Sequence, residues 1–141
     1  MKLKDAPDAM RSLLDAASPA VIAVYRPDGE VVVSPVWYRV NGEMLEVVMA
    51  VTDRKLGHLR ADPRCVLLIF ETAAPFRGVQ VRGRANLVVD TGAAARLAIA
   101  SRYLGDVGGR RYADTAQRPP GVLVRLPLED ARAWDLTAAL P

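Results

Sequence analysis

Residues 49–65 read MAVTDRKLGHLRADPRC, and this stretch predicts a strand, a polar corner and a short helix. The apolar run that ends at Val51 is typical of a strand, and Thr52 and Asp53 are favoured N-cap residues for the helix that follows. That helix must end near Asp62, because the residue before a proline is disfavoured in the α region. A helix of about two turns therefore follows the strand directly.

The first turn of this helix carries two cations, Arg54 and Lys55. A helix N-terminus has unpaired N–H groups and a partial positive charge, so basic side chains there are unfavourable unless an anion lies among them. With the hydroxyl of Thr52, these groups could bind a phosphate. The alternative is a solvated corner in which Asp53 offsets one cation. The residues alone leave both interpretations open.

The composition indicates a single domain over residues 1–141, and 51% hydrophobic residues provide material for a sizeable core. No run approaches the ~20 apolar residues that span a bilayer, and no apolar segment follows Met1 as in a secretory signal. Cys65 is the only cysteine, which excludes an intrachain disulfide and fits a reducing cytoplasm. We therefore expect a cytoplasmic protein without a membrane-spanning segment.

The charge pattern favours small anionic partners over nucleic acid. The net charge is +3 and the pI about 9.3, but the arginines are scattered and no aromatic residues alternate with them as stacking platforms. One histidine and one cysteine argue against a Cys/His zinc site within one chain. No Gly-x-Ser-x-Gly elbow, Walker loop or Gly-x-Gly-x-x-Gly motif is present, so the sequence predicts no hydrolase.

The remaining pattern predicts antiparallel strands joined by tight turns. Pro27-Asp28-Gly29 and Asn41-Gly42 are strong hairpin signals, and they join the first three strands into a meander. Gly83 suggests a bulge or a close approach within a long strand that bends around a barrel corner. The expected strands are residues 20–26, 31–40, 44–51, 65–71, 78–89 and 121–128, with an edge segment over 132–136.

Helices are expected at residues 7–17, where Met10, Leu13 and Leu14 share one face, and at residues 91–104. Residues 105–120 contain paired glycines and prolines and predict a long irregular connection, a kind of loop that is often functional. The fold class is therefore mainly β: a barrel of six or seven antiparallel strands with two or three peripheral helices.

The segment Ser34-Pro35-Val36-Trp37-Tyr38 lies inside a predicted strand. Proline removes a ladder donor there, so the segment is either an edge strand or bulge, or backbone that faces a ligand with Trp37 as an aromatic wall. The residues do not decide between these.

Four other residues are candidates with structural alternatives. His58 follows the basic pair by one helical turn and could reach an anion or donate a proton, although a structural histidine is commoner. Arg82 and Arg84 share one face of the long strand, where they either hold an anionic tail or pair with surface carboxylates. Cys65 has no local base and is expected to be a buried bystander.

Taken together, these motifs resemble the pyridoxamine 5'-phosphate oxidase-like split-barrel superfamily. The tail resembles the branch of flavin- or deazaflavin-dependent oxidoreductases, and the match extends over about residues 10–136. The motifs are residues 34–38, Arg54-Lys55 followed by residues 59–64, residues 81–85, and the tail at residues 132–136.

The resemblance implies a split β-barrel homodimer with two cofactor sites at the subunit interface. Arg54 and Lys55 would hold the cofactor phosphate, with Thr52 assisting and His58 nearby. Trp134 would reach the site from the partner chain. The ring of the cofactor would lie along Ser34, Pro35, Val36 and Trp37.

The resemblance also implies an oxidoreductase that transfers a hydride to or from a small organic substrate. We expect coenzyme F420, an 8-hydroxy-5-deazaflavin, ahead of FMN, with its acidic tail near basic residues such as Arg82 or Arg60. The further substrate-phosphate residues of true pyridoxamine phosphate oxidases are not found near the C-terminus, so we do not expect vitamin B6 synthesis. The alternative is a non-enzymatic carrier of flavin or haem.

Overall fold

The computed structural model describes residues 6–89, 92–114 and 121–141. Within them, nine strands form two antiparallel sheets, ordered β2-β1-β5-β6-β9 and β3-β4-β8-β7. In chain order, the elements are α1 (Asp8–Asp15), β1 (Ala20–Tyr25), β2 (Val31–Val36), β3 (Arg39–Asn41), β4 (Met44–Ala50), α2 (Arg54–Ala61), β5 (Arg64–Phe70), β6 (Gly78–Arg84), β7 (Asn86–Val89), α3 (Gly92–Asp114), β8 (Gly121–Pro127), β9 (Asp130–Trp134) and a 3-10 turn (Thr137–Ala139).

The predicted antiparallel split barrel is confirmed, but two of the long predicted strands are each broken as the chain passes between sheets. Residues 31–40 break at Trp37 and Tyr38 into β2 and β3. Residues 78–89 break at Ala85, whose N–H donates to the Pro63 carbonyl at 2.7 Å. Gly83 nevertheless makes the expected close approach, since a Cβ there would lie 3.0 Å from Leu126.

The three strands of the predicted meander pair in the predicted order, since residues 31–40 pair with β1 through β2 and with β4 through β3, but they do not lie in one sheet. β1 pairs with β2, but β4 pairs with β3 and β8, in the other sheet. Turn residues specify the local hairpins correctly, whereas the choice of sheet depends on burial across the whole barrel, which no local motif encodes.

The predicted irregular connection over residues 105–120 is wrong in its first part. α3 continues to Asp114 after a kink at Gly105, which has φ 75° and ψ 171°. A glycine in such a conformation usually ends a helix, and here the chain turns and becomes helical again. Residues 115–120 lie outside the described residues.

The core fills the space between the two sheets, and two helices contribute to it. The predicted face of α1, made by Met10, Leu13 and Leu14, is buried in it, and so are Leu56 and Leu59 of α2. Apolar residues that alternate along the strands supply the rest.

Tyr38 connects α1, the passage between the sheets and α3. Its side chain is fully buried, and its hydroxyl lies 2.8–3.2 Å from the carbonyl oxygens of Leu13, Leu14 and Ala16. Arg102 of α3 donates to the carbonyls of Ala16 at 2.9 Å and Tyr38 at 3.1 Å. The carbonyls that end α1 are thus satisfied by residues from two other parts of the chain. Burial, more than the neighbouring Tyr103, raises the pKa of Tyr38.

Tyr38→Phe should lower the free energy of unfolding by about 1–3 kcal/mol, because it leaves buried carbonyls with fewer donors at almost unchanged volume. Urea unfolding measures this. Tyr25→Phe removes the hydroxyl of a half-buried tyrosine at the far end of β1 and is the matched control. Equal effects of the two substitutions would contradict the role of Tyr38.

Glu46 is a buried carboxylate that ties β3, β4 and β8 together. It accepts from Arg39 and Arg125 at 2.8 Å each and from Asn41 at 3.2 Å. Burial raises the pKa of Glu46, but these three donors outweigh it and hold the pKa below the ordinary value of 4.5.

A lowered carboxyl pKa stabilises the folded state above its unfolded-state value, and this stabilisation is lost as the pH falls through the folded-state value. The wild type should therefore lose stability relative to Glu46→Gln as the pH falls below about 4.5. Urea unfolding at a series of pH values checks this. A constant difference between the two proteins from about pH 6 to about pH 3 would contradict it.

Candidate functional site

A cleft with a volume of about 790 Å³ opens beside the passage from β2 to β3. This volume lies in the range of small-molecule sites. Its polar and aromatic lining residues are Trp37, Asp53, Lys55, Arg96, Tyr103 and Tyr112. Apolar side chains from both sheets and from α3 line the rest, among them Val21, Pro35, Val36, Val48, Met49, Phe70 and Ile99.

The basic corner at the start of α2 supplies one cation to the cleft. Asp53 is the N-cap, and its carboxylate accepts from the Lys55 backbone N–H at 2.9 Å and from the Lys55 ammonium at 3.0 Å. The Lys55 side chain is only 16% exposed. Asp53 therefore offsets Lys55, as one of the two interpretations had it, and it also fixes the ammonium at the cleft wall. An anion that binds the Lys55 ammonium must share it with Asp53 or displace Asp53 from it.

The other predicted members of the corner lie outside the cleft lining. Thr52 and Arg54 are exposed, and His58 is half-buried one turn further along α2. Their assignment as phosphate-binding residues stays a prediction.

The predicted strand segment reaches the cleft with three of its residues, namely Pro35, Val36 and Trp37. Ser34 lies opposite buried Ile22 and is half-buried, on the face of β2 that points towards the core. β2 is an edge strand of its sheet, so a proline can be accommodated there. Pro35 therefore lies on an edge strand and also lines the cleft, so the two interpretations of the segment do not exclude each other.

Three aromatic rings form the wall beside the passage between the sheets. The rings of Trp37 and Tyr103 stack with centroids 5.2 Å apart and planes at 12°. The ring of Tyr112 lies 5.2 Å from Trp37 at 52°. The Tyr103 hydroxyl donates to the Ser18 carbonyl at 2.8 Å, and burial raises its pKa. Trp37 is therefore part of an aromatic wall, which was one of the two interpretations of its segment, and the two tyrosines come from α3.

Arg96 and Tyr112 are cleft residues that the sequence interpretation missed. Arg96 lies in an alanine-rich helix, and its guanidinium packs close to Gly121, where a Cβ would lie 3.0 Å from Nη2. In the sequence, only the isolated positive charge of Arg96 could have indicated a binding role. Tyr112 fell in the segment predicted to be irregular, because the glycines at 105, 108 and 109 mask the helical pattern.

Arg82 and Trp134 do not line this cleft. Arg82 is exposed on β6, opposite Asp130 of β9 and about 13 Å along the strand from Gly78. Trp134 pairs with Gly78, and a Cβ at Gly78 would lie only 2.1 Å from its ring. Gly78 in turn pairs with Phe70 of the cleft. Trp134 therefore lies two strands from the cleft within the same chain.

Cys65 is buried, as expected, and burial raises its pKa to about 11. The thiol is therefore protonated and unreactive near neutral pH. In the described part of the chain, no group of three or more His, Cys, Asp or Glu side chains is placed to hold a metal ion. No described helix is both long and apolar enough to cross a membrane.

The sequence and the fold have recognisable relatives. The family model described as pyridoxamine 5'-phosphate oxidase matches residues 6–135. Among curated proteins, none matches the sequence.

Solved structures show the same fold. A conserved hypothetical protein from Mycobacterium tuberculosis is 24% identical with a TM-score of 0.79, over 96% of this chain and 89% of that one. An F420 reductase is 24% identical with a TM-score of 0.73, over 90% of this chain and 98% of that one. A heme binding protein from Mycobacterium smegmatis is 20% identical with a TM-score of 0.67, over 92% of this chain but 55% of that one.

Proposed function

This chain belongs to the pyridoxamine 5'-phosphate oxidase family, and on that premise we propose that it is an oxidoreductase that binds coenzyme F420 or FMN in the cleft. One observation carries the proposal: apolar and aromatic walls line the same cavity as Lys55 at the start of α2. Such a cavity suits a flat ring with an anionic tail. The F420 reductase of similar fold supports coenzyme F420 ahead of FMN.

The lining residues fit both the anionic tail and the flat ring of such a group. Lys55 and the first turn of α2 would hold the phosphate, because an ammonium beside a helix N-terminus favours an anion. Arg96 of α3 would supply a second cation near the same corner, since its guanidinium lies beside Gly121, which pairs with Ala50. Val36, Val48 and Met49 offer apolar surface to the faces of a ring.

A bound cofactor of this class supplies hydride transfer to or from a small organic substrate. The chain itself binds and orients the ring, and the aromatic wall excludes water from one side of it. Tyr103 is held by its hydrogen bond to Ser18 and has a raised pKa, so it supports the wall and is poorly suited to donate a proton. Water would deliver any proton that the reaction requires.

We also propose that the protein is a homodimer with the cofactor sites at the interface. Val33, which is 61% exposed, lies opposite Ala23, and Ala23 lies opposite Val66, so the outer face of the five-stranded sheet is apolar across three strands. The same face continues into the cleft through Pro35 and Phe70. A second copy that packs on this face would bury the exposed valines and cover the cleft. Trp134 would then lie close to the interface.

A fluorescence titration with coenzyme F420 and with FMN tests the cofactor proposal. We expect one of them to bind, and Lys55→Ala to weaken the affinity about 10- to 100-fold through loss of a charged hydrogen bond. Arg26→Ala removes a cation from the distant β1–β2 turn and should leave the affinity unchanged.

Failure of both cofactors to bind would overturn the proposal. The alternative is a non-enzymatic carrier, and the heme binding protein of similar fold suggests it. A carrier would bind haemin instead, or would bind a reduced flavin without turning over a substrate. His58 does not line the cleft, so it is not placed to ligate haem there.

Sedimentation analysis of the wild type and of Val33→Asp tests the dimer. We expect a dimer that Val33→Asp dissociates, because the charge would be buried on the apolar face, and we expect weaker cofactor binding as a result. Val107→Asp places the same charge at a 71% exposed valine on α3 and should do neither. A monomeric wild type, or a Val33→Asp variant that remains dimeric, would refute the proposed interface.

A further inference from the structure

The carboxylate of Asp53 is held at the corner where the cleft meets α2. Its Oδ1 accepts from the Lys55 backbone N–H at 2.9 Å, and its Oδ2 accepts from the Lys55 ammonium at 3.0 Å. The backbone of Asp53 is fixed as well, because its N–H donates to the Ala50 carbonyl at 2.9 Å and its carbonyl accepts from the Leu56 N–H at 3.1 Å. Rotation of the carboxylate away from the ammonium would also break the hydrogen bond of the N-cap.

The charged residues in the described lining of the cleft are two cations, Lys55 and Arg96, and one anion, Asp53. The side chains of Lys55 and Asp53 are only 16% and 27% exposed, so water and salt screen their charges incompletely. The guanidinium of Arg96 lies beside Gly121, which pairs with Ala50, so the three charges belong to the same corner. By formal charge, the lining therefore offers one net positive charge to an anion.

This charge balance distinguishes two kinds of phosphate. A phosphodiester carries one negative charge, whereas a phosphomonoester loses its second proton near a pH of about 6 and then carries two. A phosphate that binds the Lys55 ammonium would lie close to Asp53, because that ammonium is 3.0 Å from Oδ2. A singly charged phosphate would leave the corner neutral. A doubly charged phosphate would leave one negative charge without compensation beside a carboxylate in a partly buried site, which is unfavourable.

We propose that Asp53 is a specificity-determining residue that makes the cleft select a singly charged phosphate over a doubly charged one. The inference rests on the proposed function, since it names the class of phosphate that the same cavity accepts. Coenzyme F420 carries a phosphodiester between its ring side chain and its acidic tail, whereas FMN ends in a phosphomonoester. The charge balance at Asp53 thus favours coenzyme F420 over FMN on grounds that are independent of the fold of any relative.

Calorimetric titration of the full chain with two probes tests this. Both probes carry a ring that binds in the cofactor titration, either the flavin or the 8-hydroxy-5-deazaflavin; one bears a 5'-phosphate, and the other bears the methyl ester of that phosphate. At about pH 8 the wild type should bind the methyl ester about tenfold more tightly, and at about pH 5, where both probes carry one charge, it should bind them about equally. Asp53→Asn keeps an N-cap oxygen but removes the charge, so the preference at about pH 8 should disappear.

Asp62→Asn is the matched control, because it removes the same charge at the other end of α2, outside the cleft lining. It should leave the preference intact. If Asp53 acted on folding alone, Asp53→Asn would change the affinity for both probes equally. An unchanged ratio of affinities in Asp53→Asn, or a wild type that binds the two probes equally at about pH 8, would overturn the inference.

The methyl ester also controls for the titration of the protein, because it keeps one charge over this pH range. β4 lines the corner with apolar residues, and the charged or titratable groups near Asp53 come from α2 and α3. On α2 these groups are Arg54, Lys55 and His58, and on α3 they are Arg96, Tyr103 and Tyr112.

The two proposals fail in different ways. If neither ring binds, the proposed function and this inference are both overturned. If a ring binds but its phosphate and its methyl ester do not differ in affinity, only the role of Asp53 is overturned, and the proposed function stands.

Discussion

The unpaired carbonyl groups at the end of α1 are the constraint on which this architecture depends. No N–H of the helix reaches them, so they need donors from outside it, and Tyr38 and Arg102 supply them. The carbonyls of Leu13 and Leu14 are buried with their hydrogen bonds to Tyr38. To do so, the chain must leave one sheet at Trp37 and enter the other at Arg39, and the first half of α3 must lie beside that passage. The same hydrogen bonds therefore fix the break in the strand and the helix that covers it.

The cleft follows from this arrangement. Trp37 is the residue next to the anchored Tyr38, and Tyr103 is next to the anchored Arg102, so the first two rings of the aromatic wall are held by groups that belong to the fold. The corner before α2 contributes a cation whose place is fixed by its own N-cap. Rigid elements thus position both ends of the cleft, which is what a binding site for a flat anionic ligand requires.

Features that depend on local chemistry could be predicted from the sequence. The hairpin turns, the Asp53 cap, the buried face of α1 and the edge position of residues 132–136 all follow from residue types and spacing. The sheet to which a strand belongs could not be predicted, because pairing of β4 with β8 joins residues about 80 positions apart. The helix beyond Gly105 was hidden for a similar reason: tertiary packing against Ser101 overrides the local preference of its glycines. Tyr112 reaches the cleft only through that packing, whereas Arg96 lies before the kink and reaches the cleft from the first half of α3.

The proline in β2 has a consequence beyond the site. Residues 31–36 read VVVSPV, an apolar, strand-forming run on an open sheet edge with Val31 and Val33 exposed. Such an edge is a template for adding further strands, and it is a common start of aggregation. Pro35 removes one backbone donor from this edge and so interrupts any continuous ladder that a second chain could form there. The residue that shapes one wall of the cleft thereby also disfavours the pairing of a further strand along this valine-rich edge.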